Sequence, residues 1–186
     1  MSKVYVLLAD GFEEIEALTP VDVLRRAGVD TVTVSIMGRK SVNGSHGIIV
    51  EADKVLGTDI TRDRMTDADM LVLPGGGKGT ENLAASEDVA EIAKTFDKEE
   101  KYLAAICAAP SVYGRLGLLS GKKATCFPGF EKYLTDAEAT GDFVVRDGRF
   151  ITAKGMGASL DFALELVKVL VSEEKAGELA SKIQYR

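Results

Sequence analysis

Short apolar runs of strand length alternate with stretches whose apolar residues recur at helical spacing, and few folds accommodate that alternation. Val4-Tyr5-Val6-Leu7-Leu8-Ala9 is apolar at every position, as a strand covered on both faces must be. Glu14 to Ala27 then places Ile15, Leu18, Val21, Val23 and Leu24 at helical spacing, with Pro20 expected to kink or restart the helix. Asp30 to Ile36 reads as a second strand, and Ile48-Ile49-Val50 as a shorter one paired nearby across an Asn43-Gly44 turn. Met70 to Leu73 is a buried strand running into Pro74-Gly75-Gly76-Gly77. Helical pattern follows over Thr80 to Leu83 and Val89 to Phe96. Lys101 to Ile106 is the next strand and Ala108 to Tyr113 the helix after it. Beyond these come a short strand at Ala124 to Phe127 and a hairpin about Asp147-Gly148. Two helices close the chain, Ser159 to Leu170 and Glu173 to about Ile183.

Strands that alternate with helices make a mostly parallel sheet with right-handed crossovers and helices on both faces. The expected fold is therefore α/β, a flavodoxin-like three-layer sandwich. Such sheets bind ligands beyond the carboxyl ends of their strands, where the strand order reverses. Three segments should converge there: the loop and first helical turns from Asp10 to Glu16, the glycine turn after Leu73, and the corner at Cys107.

With 186 residues the chain suits one domain, 1–186, better than two. The formal charge of −6 argues against nucleic acid or an anionic membrane as the main partner and leaves small molecules or proteins. Val4 to Ala9 is too short for a signal peptide or a membrane span, so the expected location is the cytosol. Cys107 and Cys126 are the two cysteines. They lack zinc-site spacing and the density of a disulfide scaffold, so reduced thiols are expected.

Cys107 is the residue most suited to chemistry. It stands where a buried strand meets a helix, flanked by small residues, a corner that resembles a nucleophile elbow. Backbone N–H groups at the helix start favour thiolate, which predicts a thiol pKa below the usual value of about 8.5. The competing reading is a buried structural thiol. A base is needed, yet the one histidine, His46, lies in a Ser45-His46-Gly47 turn remote in sequence. Glu16, in the first helical turns after strand one, is the better proton carrier, and a dry pocket would raise its pKa. Glu13 and Glu14 are expected at the helix end or in solvent. Gly75, Gly76 and the Ala108 backbone could present N–H groups to an oxyanion. Gly77-Lys78-Gly79-Thr80 lacks the spacing of a nucleotide-binding loop. Cys126 is either a resolving thiol for Cys107 or a small buried apolar residue. Lys154 and His46 are accessory sources of positive potential, or else ordinary loop residues.

Leu8-Ala9-Asp10-Gly11-Phe12-Glu13-Glu14-Ile15-Glu16, Pro20 to Gly28, Val72-Leu73-Pro74-Gly75-Gly76, Ala105-Ile106-Cys107-Ala108-Ala109-Pro110 and Val145 to Gly157 together resemble the ThiJ/PfpI superfamily. The resemblance covers nearly the whole chain and points to the branch of the Parkinsonism-associated protein deglycase and its bacterial relatives. It implies a class I glutamine amidotransferase-like fold, Cys107 as an oxidisable nucleophile, Glu16 as the partly protonated carboxyl beside it, and a homodimer. Where that branch commonly has a histidine near the cysteine, this chain has Cys126. Protease-like members carry a histidine directly after the nucleophile, here Ala108, so peptidase activity is not expected. The family's basic pair near the pocket is replaced by His46 and Lys154.

The leading expectation is an enzyme that acts on reactive carbonyls, such as methylglyoxal or its early protein adducts, with neither metal nor organic cofactor. The alternatives are a redox sensor or stress chaperone that works through Cys107 oxidation, and a binding module without catalysis.

Overall fold

The structure is a computed structural model and describes residues 2–185; the expected domain span reaches one residue past it at each end. In chain order the elements are β1 (Lys3–Leu8), α1 (Glu14–Arg26), β2 (Asp30–Ser35), β3 (Ser41–Asn43), β4 (Ile49–Glu51), β5 (Lys54–Val55), β6 (Met70–Leu73), α2 (Gly77–Ala85), α3 (Glu87–Lys98), β7 (Tyr102–Ile106), α4 (Pro110–Arg115), β8 (Lys123–Ala124), β9 (Glu138–Ala139), β10 (Val144–Asp147), β11 (Phe150–Ala153), α5 (Ser159–Leu170) and α6 (Glu173–Lys182).

Seven strands form the main sheet in the order β10-β11-β7-β6-β1-β2-β5. Every neighbouring pair is parallel except the β10–β11 hairpin. The period-two alternation of strand side chains divides the core. Val4, Val6 and Leu8 of β1 pack with α1 and α5 residues such as Leu24, Phe162 and Leu166. Tyr5, Leu7 and Ala9 point the other way, toward Ile92 and Phe96 of α3 and Tyr113 of α4. Both faces are buried, which is why these strands read as continuous apolar runs.

The chain runs from β1 outward to β2 and then returns to place β6 on the other side of β1. Strand order therefore reverses between β1 and β6, and a crevice opens at their carboxyl ends. The segments after β1, β6 and β7 all reach that crevice. Pro20 does not break α1, which continues as one helix from Glu14 to Arg26. Its ring removes one N–H from the ladder, and packing of Ala17, Val21 and Leu24 into the core holds the helix across the gap. The small hairpin of β3 and β4 forms about the Asn43-Gly44 turn as the sequence suggests. Helix α4 starts at Pro110 rather than Ala108, because residues 107–109 form the corner.

Candidate active site

Cys107 lies between the end of β7 and the start of α4 with φ at 65°, in the left-handed region that residues with a Cβ seldom occupy. The neighbours hold it there. Its N–H donates to the Ala153 carbonyl at 2.8 Å, and its own carbonyl accepts from the Phe127 N–H at 2.7 Å. Ala108 and Ala109, both buried, leave room for the bend. Strain sustained in this way by surrounding hydrogen bonds is a recurrent mark of reactive positions.

Glu16 reaches the corner from α1. It is 1% exposed, and its Oε2 accepts the Gly75 N–H at 3.0 Å. Glu13, the N-cap of α1, accepts the Glu16 N–H at 2.8 Å and so fixes the backbone from which Glu16 projects. Gly75 is where the acid and the thiol meet. A Cβ there would overlap the Glu16 carboxylate and come within 2.6 Å of the Cys107 Cβ, so only glycine lets the two side chains face each other.

Burial raises Glu16 to about 7, the Cys107 and Gly75 hydrogen bonds opposing the rise and the Glu13 charge adding to it. The thiol departs from the sequence expectation. Burial first, then the Glu16 charge and hydrogen bond, push Cys107 up to about 12. The Gly76 and Ala108 N–H groups do aim at the sulfur and lower its pKa, as expected of them. They are outweighed by the dry surroundings and by the carboxylate, which disfavours a second negative charge beside it. The resting pair is thus a thiol beside a carboxyl group that titrates near neutrality.

Other expected participants sit elsewhere. The Gly75 N–H is engaged by Glu16, leaving Gly76 and Ala108 as the donors at the sulfur. Glu14 does not face solvent: it is 2% exposed and accepts the His46 N–H at 2.7 Å, the Ser45 hydroxyl at 3.1 Å and the His46 ring at 3.1 Å. His46 is therefore a clamp on Glu14 rather than a base for Cys107. Glu13, Glu14 and His46 are the one group among the described residues with three metal-type donors within 4.8 Å of one another, and the hydrogen bonds of the clamp account for that closeness. Lys154 donates to the Gly141 carbonyl at 3.0 Å. Both cysteines are free; Cys126 is buried in the core on the α3 and α4 side, whereas Cys107 packs against the α1 and α5 side. Burial raises the Cys126 thiol to about 11. Beside the corner, an apolar cleft of about 360 Å³ is walled by Phe127, Phe143, Lys154 and Met156.

Residues 2–169 match the DJ-1/PfpI family. The chain belongs to that family. Among curated relatives, Protein DJ-1 homolog B of Arabidopsis thaliana is 39% identical over 186 residues, covering 99% of this chain; the chain spans 42% of that relative's length. A deglycase of Pyrococcus abyssi (strain GE5 / Orsay) is 31% identical over 170 residues, 90% of this chain and 99% of the relative. Among solved structures, oxidized Toxoplasma gondii DJ-1 superposes with a TM-score of 0.91 at 33% identity, covering 100% of this chain and 99% of the other.

Within this DJ-1/PfpI chain, sequence reasoning passed over Glu13 as the residue that orients Glu16. The signal was present: Glu13-x-x-Glu16 ahead of an apolar-periodic run has the spacing of a helix-capping pair. It also passed over the clamp on Glu14, which joins residues 32 positions apart and leaves no local pattern.

Proposed function

We propose that the chain is a cysteine-dependent enzyme acting on reactive carbonyls, methylglyoxal or its early protein adducts, in the manner of a glyoxalase III or protein deglycase. The observation that carries this reading is a near-neutral carboxyl, Glu16, facing a thiol whose sulfur already receives two backbone N–H groups. The deglycase name of the Pyrococcus abyssi relative points the same way.

In this reading the Cys107 sulfur adds to the aldehyde carbon while the thiol proton passes to ionised Glu16. Glu16 returns that proton to the former carbonyl oxygen, giving a hemithioacetal. The Gly76 and Ala108 N–H groups stabilise the charge that develops on oxygen. Glu16 then takes the proton from the former aldehyde carbon, the neighbouring carbon is protonated, and the hemithioacetal hydroxyl proton passes to the former ketone oxygen, leaving a lactoyl thioester. Water attacks the thioester, releasing lactate and restoring the thiol. A carboxyl titrating near 7 can both accept and return a proton at neutral pH, which the sequence of steps requires. Metal and organic cofactor have no part in these steps. Lactate release from methylglyoxal by the wild type and by Cys107→Ser is the test; equal rates would remove the proposal.

A redox role for the same sulfur is the second reading, as a sensor or a redox-regulated chaperone. The Glu16 carboxyl and the two N–H groups suit the oxygens of a sulfinate, formed when two peroxide molecules each oxidise the sulfur by two electrons and leave as water. The oxidized state named for the Toxoplasma gondii structure favours it. Mass spectrometry after mild peroxide treatment should then find two oxygens on Cys107 and none on Cys126.

We further infer a single-domain homodimer in the cytosol. Ile15, Ile48 and Ile49 are exposed together where α1 meets the β3–β4 hairpin, an apolar patch suited to a second copy. No helix among the described residues is long and apolar enough to cross a membrane. Sedimentation equilibrium of the wild type and of Ile49→Lys tests the dimer; a monomeric wild type would end it.

A further inference from the structure

On the far side of the glycine turn from Glu16 lies a second, more enclosed cavity of about 200 Å³, lined by Gly77, Thr80, Arg115, Gly129, Lys132 and Tyr133. The mechanism above makes no use of it. Four features of its wall favour an anion.

The start of α2, a nine-residue helix, forms one side. Of the four N–H groups that a helix start leaves without intrahelical partners, those of Gly76 to Gly79, Gly76 faces the Cys107 sulfur and Gly79 donates to the Gly11 carbonyl. That of Gly77, at the cavity wall and at the positive end of the helix, has no hydrogen-bond partner among the described residues. Thr80 is 3% exposed, yet its hydroxyl oxygen has no hydrogen-bond partner among the described residues. A buried hydroxyl left unpaired is destabilising, and a bound ligand would relieve it.

Two cations form the opposite side. Neither Arg115 nor Lys132 makes an ion pair among the described residues, although the chain carries a net charge of −6. Both are held by an aromatic ring instead. The Arg115 guanidinium lies 4.0 Å and the Lys132 ammonium 5.0 Å from the centroid of Tyr133. Ring stacking holds them in place and leaves their charge uncompensated, so their N–H donors are available to a ligand. Gly114 permits the arrangement: a Cβ there would meet the backbone of Tyr133 and come within 2.8 Å of the Leu134 Cα, so the absence of one lets α4 lie against the segment that carries the ring. Of the nearby carboxylates, Glu81 also lines the cavity and pairs with Lys78 at 3.3 Å, and Glu131 accepts the Gly129 N–H at 2.7 Å.

We propose that this cavity binds a small phosphate-class oxyanion, held by the Gly77 N–H group, the Thr80 hydroxyl, and the Arg115 and Lys132 side chains. Gly77 follows directly on Gly76, whose N–H faces the Cys107 sulfur. The anion is therefore either free phosphate or a phosphate carried by a ligand that extends to the thiol.

Isothermal titration of the full chain with inorganic phosphate, at ionic strength fixed with chloride, tests the site. The wild type should bind one equivalent saturably. Arg115→Gln and Lys132→Gln should each weaken binding about tenfold, the effect of losing one charge-assisted hydrogen bond. Thr80→Val, nearly the same shape, should weaken it about threefold, and Glu81→Gln should strengthen it. Arg115→Lys, which keeps the charge, should remain within a few-fold of the wild type and guards against misfolding of the glutamine variant. Absence of saturable binding, or wild-type affinity in Lys132→Gln together with Thr80→Val, would overturn the proposal.

Glycolaldehyde phosphate distinguishes the two sources. If it binds more tightly than inorganic phosphate and slows iodoacetamide alkylation of Cys107, the phosphate belongs to a thiol-directed ligand. Equal affinities without protection identify free phosphate. Because Cys107→Ser should retain phosphate binding in either case, failure of the carbonyl chemistry and failure of this site are separate results.

Discussion

Glu14 and Glu16 stand two residues apart in the first turn of α1, both withdrawn from solvent, and they titrate at opposite ends of the carboxylate range. Burial pushes Glu14 up, but the N–H and ring of His46, its own N–H and the Ser45 hydroxyl outweigh burial and bring it to about 2. Burial pushes Glu16 up as well; its donors are the Gly75 N–H and a thiol, and it stays near 7. Glu16 lies deeper and meets few donors, which makes it a proton carrier, whereas Glu14 lies nearer the surface and meets many, which makes it a fixed anion. One helix turn thus supplies a structural charge to the β3–β4 hairpin and a titrating group to the sulfur.

The widest separation should appear in activity. Glu16→Gln keeps the shape and the Gly75 hydrogen bond but cannot move a proton, so methylglyoxal turnover should fall by about 10² to 10⁴. Glu14→Gln should leave turnover within a few-fold; a comparable loss in both would dissolve the distinction.

Stability against pH should separate them next, with opposite signs. Glu14 titrates lower when folded than the usual 4.5, so its stabilisation is complete above that value and vanishes as pH falls through about 2. Glu14→Gln should therefore cost about 2 kcal/mol in urea unfolding at pH 7, solvent near the surface screening part of the shift, and much less near pH 2. Glu16 titrates higher when folded, so its protonated form favours folding below 4.5 and that advantage is lost as pH rises through about 7. Glu16→Gln should be more stable than wild type at pH 8 and close to it at pH 4. A smaller effect belongs to His46→Ala. It removes one ring contact from Glu14 while the backbone donor remains, and it should cost about 1 kcal/mol at pH 7. The smallest is Cys126→Ala, which should leave the rate of Cys107 alkylation unchanged, since the two thiols pack into opposite faces of the sheet.

The contrast between the two glutamates also marks where the sequence ceased to inform. Strand and helix positions were legible because both faces of the sheet are covered, which makes β1, β6 and β7 uniformly apolar, and because Asn43-Gly44 and Asp147-Gly148 carry their turn chemistry locally. The corner at Cys107 and the approach of Glu16 followed from that order of elements. The protonation of the pair did not, because a helix start suggests a stabilised thiolate, whereas the dry crevice and the facing carboxylate dominate. The burial of Glu14 was equally hidden, since its donors come from Ser45, His46 and Ile48, far along the chain. Arg115 and Lys132 read as scattered surface charge until the fold gathered them around Tyr133.

Acid, glycine and sulfur stand on the segments that follow three separate strands, and β1 and β6 meet where the winding of the sheet changes direction. Nothing but the intact seam keeps the three in company. Any loosening there would part the acid from the sulfur, so heat inactivation should not lag behind the loss of helical circular dichroism.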